Sequence, residues 1–171
     1  YFATFAKSMA GIGAFLAGNK DVIQYLQYNM RSQTFAKSLP MAMVKGALKR
    51  LDMLRTMPEL KEKLWENTNA LQAGLRAAGF DLGTTQTCIT PVFLKGDIPE
   101  AMAMVNDLRE NHGVFCSIVV YPVIPKGLII LRLIPTTTHT KEDIDETIIA
   151  FSAIRVLLEN GTYKKLAATI M

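Results

Sequence analysis

The spacing of apolar positions divides this chain into recognisable pieces. Residues 1–6 and 13–17 are short apolar runs on either side of a small, glycine-containing turn, which predicts two short strands around it. Residues 21–28 predict a short helix, and residues 30–38 an irregular crossing segment. From Pro40 the pattern becomes helical, with Met43, Ala47, Leu48, Leu51 and Leu54 recurring at helical spacing. Pro40 suits the start of that helix, where a missing N–H costs nothing. Pro58 starts another, predicted over 59–78, with Leu60, Leu64, Leu71 and Leu75 along one face and Gly79 placed to end it.

Beyond Gly79 the pattern alternates between strand and helix. Strands are predicted at 90–94, 114–120 and 127–134, and a helix at 99–111 with Ala101, Val105 and Leu108 turned inward. Thr140 caps a helix running to about residue 158, and Asp143 completes a short capping box. Gly161 breaks that helix before a last one at 163–170. Strands beneath helices on one face imply an α+β small domain.

Composition narrows the class. Half of the 171 residues are hydrophobic, enough for a real core and too many for a disordered chain. No apolar stretch reaches the roughly 18 uncharged residues of a membrane span. The two cysteines, Cys88 and Cys116, form no disulfide framework, and no signal-peptide pattern opens the chain, so a cytoplasmic setting is expected. The net charge of +4 raises nucleic acid as a partner. However, Lys45, Lys49, Arg50 and Arg55 share one predicted helix, acidic residues follow them, and no aromatic platform is interleaved. A solvated helix face, with no nucleic-acid partner, is the better reading. A basic surface also attracts the phosphates of an acyl-CoA, although the sequence locates no such site.

Two residues carry candidate chemistry. Lys7 lies in Thr4-Phe5-Ala6-Lys7-Ser8-Met9-Ala10-Gly11-Ile12-Gly13, between a hydroxyl three residues before it and a small, glycine-rich stretch after it. Apolar flanks favour a partly desolvated, nucleophilic amine, able to condense with an aldehyde such as pyridoxal phosphate. Nearby hydroxyl and backbone N–H groups suit a phosphate. From the residues alone, a surface lysine beside a turn is the stronger reading. Arg132 is a charge inside the apolar strand Leu128-Ile129-Ile130-Leu131-Arg132-Leu133-Ile134, on the same face as Ile130 and Ile134. It reads either as an edge-strand arginine turned to solvent or as a guanidinium fork for a carboxylate. His139 reads as a structural neighbour of the Thr140 cap, His112 as a helix-end residue, and both cysteines as packing residues.

The segment around Lys7 resembles the cofactor-lysine segment of the α-oxoamine synthases. Two further blocks agree in order and spacing: Arg31-Ser32-Gln33-Thr34-Phe35-Ala36-Lys37-Ser38-Leu39-Pro40, and Val120-Tyr121-Pro122-Val123-Ile124-Pro125-Lys126-Gly127 running on through Arg132 to His139-Thr140. The resemblance covers nearly the whole chain. It implies the C-terminal part of a fold-type I pyridoxal-phosphate enzyme that condenses an amino acid with an acyl-CoA, losing carbon dioxide, and that works as a homodimer. It further implies that Lys7 is the Schiff-base residue, that Thr4 contacts the cofactor phosphate, and that Arg132, seven residues before the His-Thr pair, binds the substrate carboxylate.

One position departs from the pattern. Many relatives carry a hydroxyl residue at Ala36 that reaches the phosphate of the neighbouring subunit, and Ser38 or Lys37 is expected to substitute. By the same resemblance, residues 1–39 are the end of the large cofactor domain, 40–79 connecting helices, and 80–171 the small domain. The chain opens on Tyr1 in mid-pattern, so it reads as a fragment, inactive alone. The wording near Ser38 and Pro122 favours a serine palmitoyltransferase-like member over a glycine C-acetyltransferase or an 8-amino-7-oxononanoate synthase. A non-catalytic subunit, which is expected to lack the lysine, and a basic binding module remain the other classes.

Overall fold

The computed structural model describes residues 1–170, with side chains as far as Ala167. It divides into two compact units, Tyr1–Pro58 and the chain from Glu59 onward. The division falls inside the predicted connecting helices, after Pro58, one residue beyond the break between two helices at Met57. That residue leaves helical geometry (φ −125°, ψ 67°), as expected of a residue preceding proline.

In the first unit, β1 (Phe2–Thr4) and β2 (Ala14–Leu16) form an antiparallel hairpin with Phe2 opposite Leu16 and Thr4 opposite Ala14. Helix α1 (Lys20–Asn29) starts where the Asn19 side chain accepts the Asp21 N–H, as its short polar side chain favours. The predicted crossing segment contains one short helix, α2 (Arg31–Thr34), and is otherwise irregular. Helix α3 (Met41–Thr56) follows Pro40 as predicted, yet it buries no side chain: Leu48 is 61% and Leu54 60% exposed. Its apolar spacing therefore has no core to serve among the described residues of this unit.

The second unit holds the core. Helix α4 (Pro58–Ala77) leads to β3 (Thr90–Lys95), α5 (Ile98–His112), β4 (Ser117–Val119), β5 (Leu128–Leu133), α6 (Lys141–Glu159) and α7 (Thr162–Ile170). The three strands form an antiparallel sheet in the order β3-β5-β4. Burial alternates along β5 with the period of a pleat: Ile129, Leu131 and Leu133 are buried, while Leu128 and Arg132 are exposed. The buried face meets Leu75, Met104, Leu108, Phe151 and Ile154 from the helices in one apolar cluster. The α+β architecture expected from the sequence is what forms, with one sheet face covered and the other open.

Polar residues fix the ends of these elements. The Asp97 carboxylate accepts the Glu100 N–H at 2.9 Å to start α5, and left-handed Gly113 (φ 67°) ends it. Thr140 and Asp143 form the predicted box reciprocally. The Thr140 N–H donates to the Asp143 carboxylate at 2.7 Å, and the Asp143 N–H donates to the Thr140 hydroxyl at 3.2 Å. The first of these bonds, together with the Thr140 hydroxyl beside the carboxylate, holds the Asp143 carboxyl below its ordinary range. The predicted strand at 114–120 is shorter than the pattern suggests. The Val114 N–H closes the end of α5 on the Leu108 carbonyl, so residues 114–116 are spent on the turn and not on the ladder.

Candidate functional site

Lys7 sits at the tip of the β1–β2 hairpin, in a turn tied at several points. The Phe5 N–H donates to the Gly13 carbonyl, the Gly11 N–H to the Phe5 carbonyl, and the Ala10 N–H to the Lys7 carbonyl, all at 2.8–2.9 Å. Two residues take positive φ, Ala10 at 41° and Gly13 at 98°. At Gly13 a Cβ would also press on the Leu39 side chain at 2.8 Å, so glycine is needed there for both reasons. Phe5 and Phe15 stack 5.8 Å apart at the base of the turn. A groove of 360 Å³, lined by Phe5, Met9, Ile12, Leu39, Met43 and Leu51 among others, lies between the hairpin and α3.

The lysine itself is exposed, and its amine has no hydrogen bond or ion pair among the described residues. The backbone N–H groups of Lys7, Ser8 and Met9 are likewise unpaired there. Thr4 is more committed: its hydroxyl donates to the Gly13 carbonyl at 3.2 Å and accepts the Ala6 N–H at 3.1 Å. That hydroxyl serves the turn, and it can turn to an anion only by releasing Gly13. Ser38 is exposed, with a hydroxyl that has no partner among the described residues. Lys7, Thr4 and Ser38 all belong to the first unit.

Arg132 belongs to the second unit. It lies on the central strand, not at an edge, and projects from the open face of the sheet, where Ile130 and Leu128 share its side. Across the ladder it stands between Pro91 of β3 and Ser117 of β4. Its Nε–H donates to the Ser117 hydroxyl at 3.0 Å. Phe93 and Val119 flank Ile130 in the next rung of the same face, so the neighbours of Arg132 on the open face are largely apolar. Directly opposed residues share a face of a sheet, which is why these side chains meet.

The loop after β5 is anchored by a residue that sequence reasoning missed. Asn67, buried on α4, donates its amide to the carbonyls of Thr136 and His139, at 3.0 and 2.9 Å. The Thr136 N–H donates to His139 Nδ1 at 3.0 Å. His139 is thus a structural residue, as the sequence suggested. Ser117 was missed as well. Its signal was a hydroxyl within an apolar strand, and its meaning depends on register. Cys116, its neighbour on the core side, is buried, and that burial pushes its thiol up to about 11, too high for a thiolate at neutral pH.

The chain belongs to the class I and II aminotransferase family, whose model matches residues 1–151. It is 69% identical over 170 residues to a cysteate-C-fatty acyltransferase of Capnocytophaga ochracea, spanning 99% of this chain and 40% of that protein. It is 40% identical over 145 residues to a serine palmitoyltransferase of Sphingobacterium spiritivorum, spanning 85% of this chain and 36% of that protein. Among solved structures, an SPT with its PLP internal aldimine superposes with a TM-score of 0.80 at 32% identity, covering 89% of this chain and 38% of that one. The chain therefore spans about two fifths of the length of these relatives.

Proposed function

We propose that the protein containing this chain is a pyridoxal-phosphate-dependent C-acyltransferase of the α-oxoamine synthase type. It joins an α-amino acid to a fatty acyl thioester, with loss of carbon dioxide and the thiol. The observation that carries this reading is the Lys7 turn: an unpaired primary amine, held by a hydrogen-bonded hairpin, in a chain 69% identical to a cysteate-C-fatty acyltransferase. That identity favours cysteate as the amino acid. Serine is the second reading, supported by the 40% relative and by the wording around Ser38.

The donors present suit the cofactor. A primary amine suits an aldehyde, and the free N–H groups at Lys7, Ser8 and Met9, with the hydroxyl of Ser38, suit a phosphate. Lys7 would hold the aldehyde carbon, and Ser38 supplies the hydroxyl that Ala36 lacks, to this subunit or to a second copy. When bound, the cofactor supplies an electron sink for the charge left at the substrate α-carbon. Lys7 removes the α-proton of the amino acid through its amine. Arg132 binds the substrate carboxylate, and its planar fork fixes which bond to the α-carbon is presented for cleavage. No helix among the described residues is long and apolar enough to cross a membrane.

Borohydride reduction of the full-length protein with pyridoxal phosphate, followed by peptide mapping, is expected to place the label on Lys7. A label on Lys37, or none in active protein, overturns the reading. Arg132→Lys keeps the charge but loses the fork. It is expected to weaken amino-acid binding by about 1.5–3 kcal/mol, the scale of a charged hydrogen bond, with pyridoxal-phosphate affinity unchanged. Titration of the amino acid into the cofactor-loaded variant checks both.

A further inference from the structure

We infer that Ser117 is the positioning residue for Arg132 and selects which edge of the guanidinium receives the substrate. This rests on the proposed role of Arg132 in carboxylate binding. A guanidinium has two edges able to take a carboxylate by paired N–H bonds: the side edge, using Nε and one Nη, and the end edge, using both Nη atoms. In this sheet the side edge is already taken. The Arg132 Nε–H donates to the Ser117 hydroxyl at 3.0 Å, and among the described residues the guanidinium makes no other hydrogen bond and no ion pair. Only the end edge is left with two parallel donors free.

The hydroxyl is itself oriented. Its hydrogen points to the Arg132 carbonyl, at a long 3.4 Å, which turns a lone pair toward Nε. Ser117 and Arg132 are directly opposed in the β4–β5 ladder, so the same register that closes the sheet brings the two groups together. An arginine loses considerable rotamer entropy when it is fixed. A serine that fixes it before the substrate arrives removes that cost from the binding step. The chemistry required at position 117 is therefore a hydroxyl, which accepts from Nε while donating to a carbonyl. A methyl group cannot do either, and threonine can do both.

The test uses the full-length, cofactor-loaded enzyme. Ser117→Ala is expected to raise the amino-acid KM, and the calorimetric Kd, about five- to twentyfold, less than the full scale of a charge-assisted hydrogen bond because the contact acts on the substrate only through Arg132. The kcat at saturating amino acid should stay within about twofold, because a positioning contact made equally in ground and transition states affects binding alone. Ser117→Thr should restore the parent KM. In the Arg132→Lys background, which has no Nε, Ser117→Ala should add less than about a further twofold change. An unchanged KM in Ser117→Ala overturns the inference, and so does failure of Ser117→Thr to restore it. Equal loss of kcat and of thermal stability would make Ser117 merely structural and would overturn it as well. If Arg132→Lys itself leaves amino-acid binding intact, the assignment of Arg132 fails first. That outcome is distinguishable from a failure confined to Ser117.

Discussion

Lys7→Ala in the full-length protein is expected to lower turnover by about 10³-fold, the scale of removing a positioned acid–base group, with folding intact. The intact fold follows from where the side chain is. Lys7 is exposed at the tip of its hairpin, and the turn is held by backbone bonds among Phe5, Lys7, Ala10, Gly11 and Gly13, none of which uses the lysine side chain. An exposed residue with no side-chain partner changes stability by less than about 0.5 kcal/mol when truncated. The large loss is therefore chemical. Lys7→Arg, which keeps a cation but not a nucleophilic amine, should be about as inactive as Lys7→Ala, because charge alone is not what the position supplies. Single-turnover rates with amino acid and acyl thioester would measure this. Activity of Lys7→Ala within tenfold of the parent protein would remove Lys7 from the chemistry.

The elements of this fold were legible because their apolar periods are clean. The strand containing Arg132 and the helix capped by Thr140 and Asp143 both stand where the spacing put them. Val114 is different: this apolar residue at the start of the expected strand is spent on closing α5, a use that hydropathy does not distinguish from a ladder position. The candidate site was legible in part. Lys7 and Arg132 stand out because a charge among apolar neighbours is costly unless it has a purpose. Ser117 does not stand out, because its role exists only when β4 is laid against β5 in one register, with Ser117 opposite Arg132. The central place of β5 was hidden for the same reason. In sequence Arg132 was equally an edge residue, and the order β3-β5-β4 is a fact of pairing that sequence order does not state. Asn67 was hidden by its helix, since an amide in the row of Leu64 and Leu71 looks like an interruption until the loop it holds is in place.

Phe151→Ala is expected to cost about 3–5 kcal/mol, the range for removing a buried aromatic ring from a core. Phe151 is fully buried on α6 and meets Phe80 edge to face, with ring centroids 5.6 Å apart and planes at 80°. It belongs to the apolar cluster that also takes in Ile129 and Leu131, the face of β5 opposite Arg132. Truncation removes apolar area and leaves a cavity that close packing cannot fully collapse. A domain of ordinary stability has about 5–15 kcal/mol in hand, so this one change leaves little. Trp65, the chain's single tryptophan, lies on α4 of the same unit and reports the transition by fluorescence in urea. The midpoint should fall with the slope preserved, as for a change in stability without a change in exposed area. Leu48→Ala, at a position 61% exposed on α3, is the control and should shift stability by less than about 0.5 kcal/mol. A loss below about 1 kcal/mol in Phe151→Ala would mean that this face of the sheet is not the core. The same substitution in the full-length, cofactor-loaded protein also separates support from positioning: whatever fraction of Phe151→Ala remains folded should keep the parent amino-acid Kd, because Arg132 and Ser117 meet on the other side of the strand.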